Sequence, residues 1–186
     1  MWVMLQLALH ILDIVENSTR AGAKLVRIGI TEDLKENVFR IEIEDDGRGM
    51  EPEKLRRVLD PFYTTKTVRR VGLGLPMLYQ ATQQTGGRFA IDSKVGEGTR
   101  VCAEFGHTHI DRQPLGDIAG TIVTLIAGNT DVDFQYVHRK GDLTFTLDTR
   151  EIRNEIDDIP INHPEVLNFI RNSMKEGLAE IGANYE

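Results

Sequence analysis

Cysteine is all but missing from this chain of 186 residues: Cys102 stands alone. No disulfide can close within the chain, and no cysteine metal site can form. Its setting, TRVCAEF, alternates like a strand, and the usual burial of free cysteine predicts a packed core thiol. Positive charge is also short. With 22 Lys and Arg against 29 Asp and Glu, the balance disfavours non-specific nucleic-acid binding, so no DNA partner is expected. A long apolar run is absent as well. The opening MWVMLQLALHILDIV is broken by His10 and Asp13, is too short for a membrane span, and lacks the basic start and cleavage site of a signal peptide. A cytoplasmic protein with no membrane contact is expected. The chain carries no repeats and no low-complexity tract.

What is present suffices for one well-buried domain, or for one domain with a small annex. Trp2, Leu5, Leu9, Leu12 and Val15 recur at helical spacing, which predicts a helix over residues 2 to 20. KLVRIGI and NVFRIEIED alternate as two strands. MEPEKLRRVL reads as a short helix with Pro52 in its first turn. The stretch DPFYTTKTVRRVGLG has no period and reads as a loop, LPMLYQATQQTGG as a helix, and RFAIDSKVGEGTRVCAEF as a hairpin turning at Gly96-Glu97-Gly98. The order predicts an α+β sandwich, a mixed sheet with helices on one face. After Phe105 the polar stretch GHTHIDRQPLGD marks a boundary, dividing residues 1–106 from an α+β extension over 107–186. That extension reads as helix, hairpin at Lys140-Gly141-Asp142, then two helical stretches. The last of these sets Val166, Ile170, Met174, Leu178 and Ile181 on one stripe.

Four separated elements point to one ligand. In EDDGRGM, a strand ends in Asp45-Asp46 and runs into Gly47 and Gly49. A carboxylate at a strand tip beside bare backbone suits a flat ligand, although a plain acidic turn has the same look. In VGLGLPML, Gly72 and Gly74 precede a helix, so backbone amides and a positive helix end are aimed at phosphate. No Rossmann or Walker spacing is present. The preceding loop gathers Thr64, Thr65, Lys66, Arg69 and Arg70, cations that would face such phosphates. Finally, Asp13 and Asn17 are four apart on one helix face. An Asn amide oxygen suits Mg²⁺, and a carboxylate one turn away could accept a proton from an attacking water or hydroxyl.

Together these motifs resemble the Bergerat-fold ATP-binding family of gyrase-type topoisomerases, Hsp-type chaperones, sensor histidine kinases and MutL-type ATPases. DIVENSTRAGA is most similar to the first helix of the MutL type. DPFYTTK, GLGLPMLYQATQQTGG and VGEGTRVCAEF are most similar to histidine kinases. The resemblance implies that Asp45 hydrogen-bonds the adenine amine, with Gly47 and Gly49 beneath the base and Met50 and Thr99 near the pocket. It implies that Asn17 ligates Mg²⁺ and that residues 60 to 74 form a mobile lid. In that lid Phe62, Thr65, Lys66, Arg70, Gly72, Leu73 and Gly74 would meet the nucleotide, as would Leu75 beyond it. Two positions depart from the pattern. Hydrolytic branches carry Glu where this chain has Asp13, which withdraws the base. Arg70 stands where kinases often have the first lid glycine, and either contacts phosphate or stiffens the lid.

The chain opens on the nucleotide-site helix, without the phosphoacceptor hairpin that precedes it in a conventional sensor kinase. His10 is expected as a core or edge residue, and His107, His109, His138 and His163 lack a kinase-like context. The expectation is therefore a histidine-kinase-like protein using ATP and Mg²⁺, a partner-dependent phosphotransferase or slow ATPase. The alternative is an ATP-gated interaction switch with little catalysis. Either implies a protein partner and allows a homodimer.

Overall fold

The computed structural model describes residues 6–60 and 74–183. Helix α1 spans Leu7–Arg20 and buries Leu7, Ile11, Ile14 and Val15 on one face. It starts later than the spacing predicts, because Gln6 is extended at φ -137; Trp2 and Leu5 lie outside the described residues. Strands β1 (Leu25–Asp33) and β2 (Val38–Asp45) pair antiparallel, with Val26 opposite Asp45. Helices α2 (Pro52–Arg57) and α3 (Gly74–Gln84) follow, then strands β3 (Arg88–Lys94) and β4 (Gly98–Gly106). The extension adds α4 (Ile118–Gly128), β5 (Asp133–Lys140), β6 (Leu143–Asp148), α5 (Thr149–Glu155) and α6 (Pro164–Glu180).

All six strands form one mixed sheet in the order β3-β4-β2-β1-β5-β6, with β1 and β5 parallel. Strand periodicity of two sorts its residues. Ile28, Ile30, Phe39, Ile41, Ile43, Val101, Ala103, Phe105 and Phe134 enter one core with α1, α4 and α6. The opposite face carries ion pairs across neighbouring strands: Arg27 with Glu44 at 3.1 Å, Arg100 with Glu42 at 2.6 Å, and Arg40 with Glu104 at 2.7 Å. Cys102 falls on this charged face, because Val101 and Ala103 on either side take the core positions. The expectation of a core thiol is thus wrong by one residue of register. Partial burial, with Glu42 and Glu104 nearby, pushes the thiol pKa up.

The extension continues the sheet rather than standing apart from it. Its connector runs along the start of α1, where Leu7 N donates to Pro114 O at 2.9 Å and Ala8 N to Leu115 O at 2.8 Å. Asp117 then caps α4 by accepting from Gly120 N at 2.8 Å. Val166, Ile170, Met174, Leu178 and Ile181 are buried together, as their spacing expects.

A polar cluster ties connector and extension to β1 at the sheet end away from Asp45. Glu32 is buried opposite Phe39. His138 Nε2 meets its Oε1 at 2.9 Å, and His107 Nε2 its Oε2 at 3.0 Å. Tyr136 Oη lies 2.8 Å from His138 Nδ1. Tyr136, His138 and Glu32 thus form one relay in which the facing polar atoms are partnered. Burial alone would raise the Glu32 carboxyl, but hydrogen bonds from His138 and His107, with the charges of His138 and Lys140, hold it down at about 2.

A depressed carboxyl stabilises the fold above its unfolded pKa and loses that contribution as pH falls through the folded one. For Glu32 the window runs from 4.5 down to about 2. A shift of this size corresponds to about 3 kcal/mol. Glu32→Gln should therefore lower stability at neutral pH by about 3 kcal/mol and flatten the acid limb of the unfolding curve. Circular dichroism against denaturant at several pH values measures both; an acid limb identical to the parent's would dismiss the cluster as the anchor.

Candidate functional site

Strand β2 ends in two carboxylates with separate tasks. Asp46 Oδ1 accepts from Lys24 N at 2.7 Å and Leu25 N at 2.9 Å, fastening the start of β1. Asp45 points to the helix side and is 8% exposed. Ser18 of α1 donates its hydroxyl to Asp45 Oδ2 at 2.6 Å, and Gly47 N donates to Oδ1 at 2.9 Å. Each oxygen keeps lone-pair capacity, so the held carboxylate can still accept from a ligand. Ser18 lies on the buried side of α1, facing the end of β2.

The backbone after Asp45 is crowded against its neighbours. Arg48 N donates to Ala21 O at 3.0 Å and Gly96 N to Arg48 O at 2.8 Å, joining the glycine loop to the β3–β4 turn. Gly49 has φ +67, and a Cβ there would sit 2.0 Å from Lys94 O. At Gly98, φ +102, a Cβ would sit 1.8 Å from Asp45 O. Only glycine permits either approach. Across the sheet end, Ser93, Thr99 and Asp45 are directly opposed on β3, β4 and β2. Met50 N donates to Ser93 Oγ at 2.9 Å, and Ser93 Oγ lies 2.9 Å from Thr99 Oγ1.

Asp13 reaches the first residue of α3. A Cβ on Gly74 would lie 1.9 Å from Asp13 Oδ2, so the carboxylate rests directly against the bare backbone of Gly74. Two turns of α1 thus serve two neighbours, Asp13 towards the start of α3 and Ser18 towards Asp45. Between them Asn17 Oδ1 accepts from Arg20 Nη1 at 3.3 Å, while Arg20 Nη2 binds Glu16 Oε2 at 2.6 Å. Glu16 therefore engages Arg20 and not Asp13's neighbourhood. Leu75 packs against the core. Phe62, Thr65, Lys66, Arg70, Gly72 and Leu73 lie outside the described residues, as does nearly all of the expected lid.

Ser18, Arg20 and Ser93 also belong to this arrangement, although the four motifs give none of them a role. Ser18 sits inside a motif already singled out, but five residues from Asp13 and one from Asn17 it does not share their helix face, and only its burial against the sheet end marks it. Ser93 had no signal, because its importance depends on strand pairing. Among the histidines, His10 is wholly buried, with Nε2 3.0 Å from Gln113 Oε1 and Nδ1 without a partner among the described residues. Burial lowers its pKa, and no phosphoryl donor can approach it in this conformation. His163 Nδ1 accepts from Glu165 N at 3.4 Å and caps α6.

The family model described as histidine kinase-, DNA gyrase B-, and HSP90-like ATPase matches residues 4–109. Sensor kinase CckA of Brucella abortus is 48% identical over 59 residues, 31% of this chain and 6% of that protein. Sporulation kinase C of Bacillus subtilis is 33% identical over 94 residues, 50% of this chain and 22% of that protein. The chain thus spans a minor part of either kinase. The crystal structure of the N-terminal domain of a DNA repair protein shares the fold, with TM-score 0.54 and 16% identity, covering 78% of this chain and 52% of that one. That likeness extends beyond the family match into the extension. No helix among the described residues is long and apolar enough to cross a membrane.

The Ser18 bond generates a stability prediction. Ser18→Ala removes a donor from a buried carboxylate, which costs about 1–3 kcal/mol. The gain in helix propensity returns only about 0.5 kcal/mol. Denaturant unfolding should show a net loss. A variant as stable as the parent would mean that Asp45 finds its second donor elsewhere.

Proposed function

Because the chain belongs to the histidine kinase-, DNA gyrase B- and HSP90-like ATPase family, we propose that it binds Mg-ATP in the cleft between α1 and the end of the sheet. The observation that carries this reading is Asp45, buried yet held by Ser18 and Gly47 so that it can accept one more donor. The adenine amine is that donor, and Thr99 on the neighbouring strand borders the same edge. Gly47, Gly49 and Met50 lie under the base, and the triphosphate runs towards Gly74 and the loop before it. In this reading residues 1–106 carry the site, and residues 107–186 brace it through β5.

Asn17 suits the magnesium that accompanies the phosphates. Among the described residues its amide oxygen is engaged by an Arg20 guanidinium at 3.3 Å, which can turn to a phosphate and release the oxygen to the cation. Magnesium would neutralise phosphate charge and order the triphosphate. Asp13 stands at the start of α3, where the terminal phosphate would arrive, and serves as the general base towards the attacking water or hydroxyl. Its short arm makes the isolated protein a slow ATPase, and we assign phosphoryl transfer to a complex with a protein partner in the cytoplasm.

Incubation with γ-labelled ATP, alone and with co-purifying proteins, tests the activity. Label transferred to a partner supports the kinase; nucleotide-dependent association without transfer replaces it with an ATP-gated switch. Asp45→Asn should weaken ATP binding by at least tenfold, since a charged acceptor lost from an exocyclic amine costs about 1.5–3 kcal/mol. Calorimetry measures it, and an unchanged affinity would move the base elsewhere.

Substitutions on α1 separate chemistry from binding. Asp13→Glu should raise steady-state turnover and Asp13→Asn lower it, by part of the ~10²–10⁴-fold that general-base catalysis supplies. Neither should much change ATP affinity. Asn17→Ala should instead weaken Mg-ATP binding itself. Turnover indifferent to Asp13→Asn would show that Asp13 is not the base.

A further inference from the structure

Ser93 makes contacts that no role in ATP binding assigned above accounts for. It belongs to β3, on the far side of Thr99 from Asp45, and the three residues form one row across the sheet end. A hydroxyl has one proton and two lone pairs. Met50 N donates to Ser93 Oγ at 2.9 Å, which uses one lone pair. Ser93 donates its proton to Gly98 O at 2.9 Å, a carbonyl that can only accept. The remaining contact, to Thr99 Oγ1 at 2.9 Å, must then be filled by the threonine's own proton.

Thr99 is thereby left with lone pairs alone to offer a ligand. Its neighbour Asp45 already has donors from Ser18 and Gly47 and likewise offers only acceptor capacity. The two groups beside one another at the end of β2 and the start of β4 present acceptors without a donor between them. An exocyclic amine with two N–H bonds matches such an edge; a carbonyl oxygen meets repulsion.

We propose that Ser93 is a positioning residue for base selection: it fixes the proton of Thr99 so that the base edge meets two acceptors, Thr99 and Asp45. This rests on the ATP-site reading given above and deepens it, because discrimination is shared with a residue that never touches the nucleotide. Without the Ser93 hydroxyl, the Thr99 proton is free to rotate towards the base and to donate to an oxygen there.

Inosine triphosphate carries oxygen where ATP carries the amine, and so probes this edge. The test compares ATP and inosine triphosphate affinities by calorimetry in the full chain. Ser93→Ala should lower the ATP preference by about 3- to 10-fold, the range of one neutral hydrogen bond, while Ser93→Thr, which keeps the hydroxyl, should preserve it. In a Thr99→Val background, Ser93→Ala should leave the ratio unchanged, because there is no hydroxyl left to orient. A merely structural Ser93 would weaken both nucleotides together, and an unchanged ratio in Ser93→Ala overturns the proposal. Should Ser93→Ala not fold, Ser93→Cys keeps the volume with a weak hydrogen-bonding group and is read in the same way. A parent that binds both nucleotides equally, or binds neither, overturns the adenine reading itself.

Discussion

The carboxylate of Asp45 is the constraint around which the site is arranged. Burying an ionisable group is costly unless hydrogen bonds replace its water. Here the replacements come from two different parts of the chain, the Ser18 hydroxyl of α1 and the Gly47 amide of the following loop. Satisfying Asp45 therefore fixes the position of α1 against the sheet end. Asn17, the neighbour of Ser18, and Asp13, one turn earlier, are placed by the same contact. The polar crowd in ENSTRAG is divided between a buried side that serves Asp45 and an exposed side where Glu16 and Arg20 pair.

The floor of the site is built from backbone. Gly98 lets β4 come against the Asp45 carbonyl, and Gly49 lets the loop lie on Lys94. Ser93 then closes the joint by taking the Met50 amide and donating to the Gly98 carbonyl. Loop and hairpin are consequently one unit, although more than forty residues of sequence separate them. A site on regular elements with hydrogen-bonded support keeps its geometry better than one on free loops.

The opposite end of the sheet solves a similar problem with other groups. Glu32 is buried there and is satisfied by His107 from the connector and His138 from β5. Asn37 in the β1–β2 turn also accepts from Thr108 N at 2.9 Å. The extension is thus joined to the nucleotide-binding part by strand pairing, by core contacts and by this ion cluster. Any motion of the extension is mechanically connected to β1, whose other end lies beside Asp45.

Periodicity and turn chemistry made most of the elements legible in sequence, because helix and strand spacing are local properties. Four motifs in order also made the family legible, and they singled out Asp13, Asn17 and Asp45 because the proposed binding chemistry calls for recognisable residue types. Cys102 shows the limit: alternation identified its strand, but only the pairing of β4 with β2 and β3 decided which face it occupies. His107 and His138, more than thirty residues apart, had no visible reason to be polar until the pairing of β1 with β5 and of β2 with β4 brought them both to Glu32. Ser18 and Ser93 are ordinary serines in the sequence. Their roles come from a helix crossing and a strand register, which are long-range relations that no local pattern encodes.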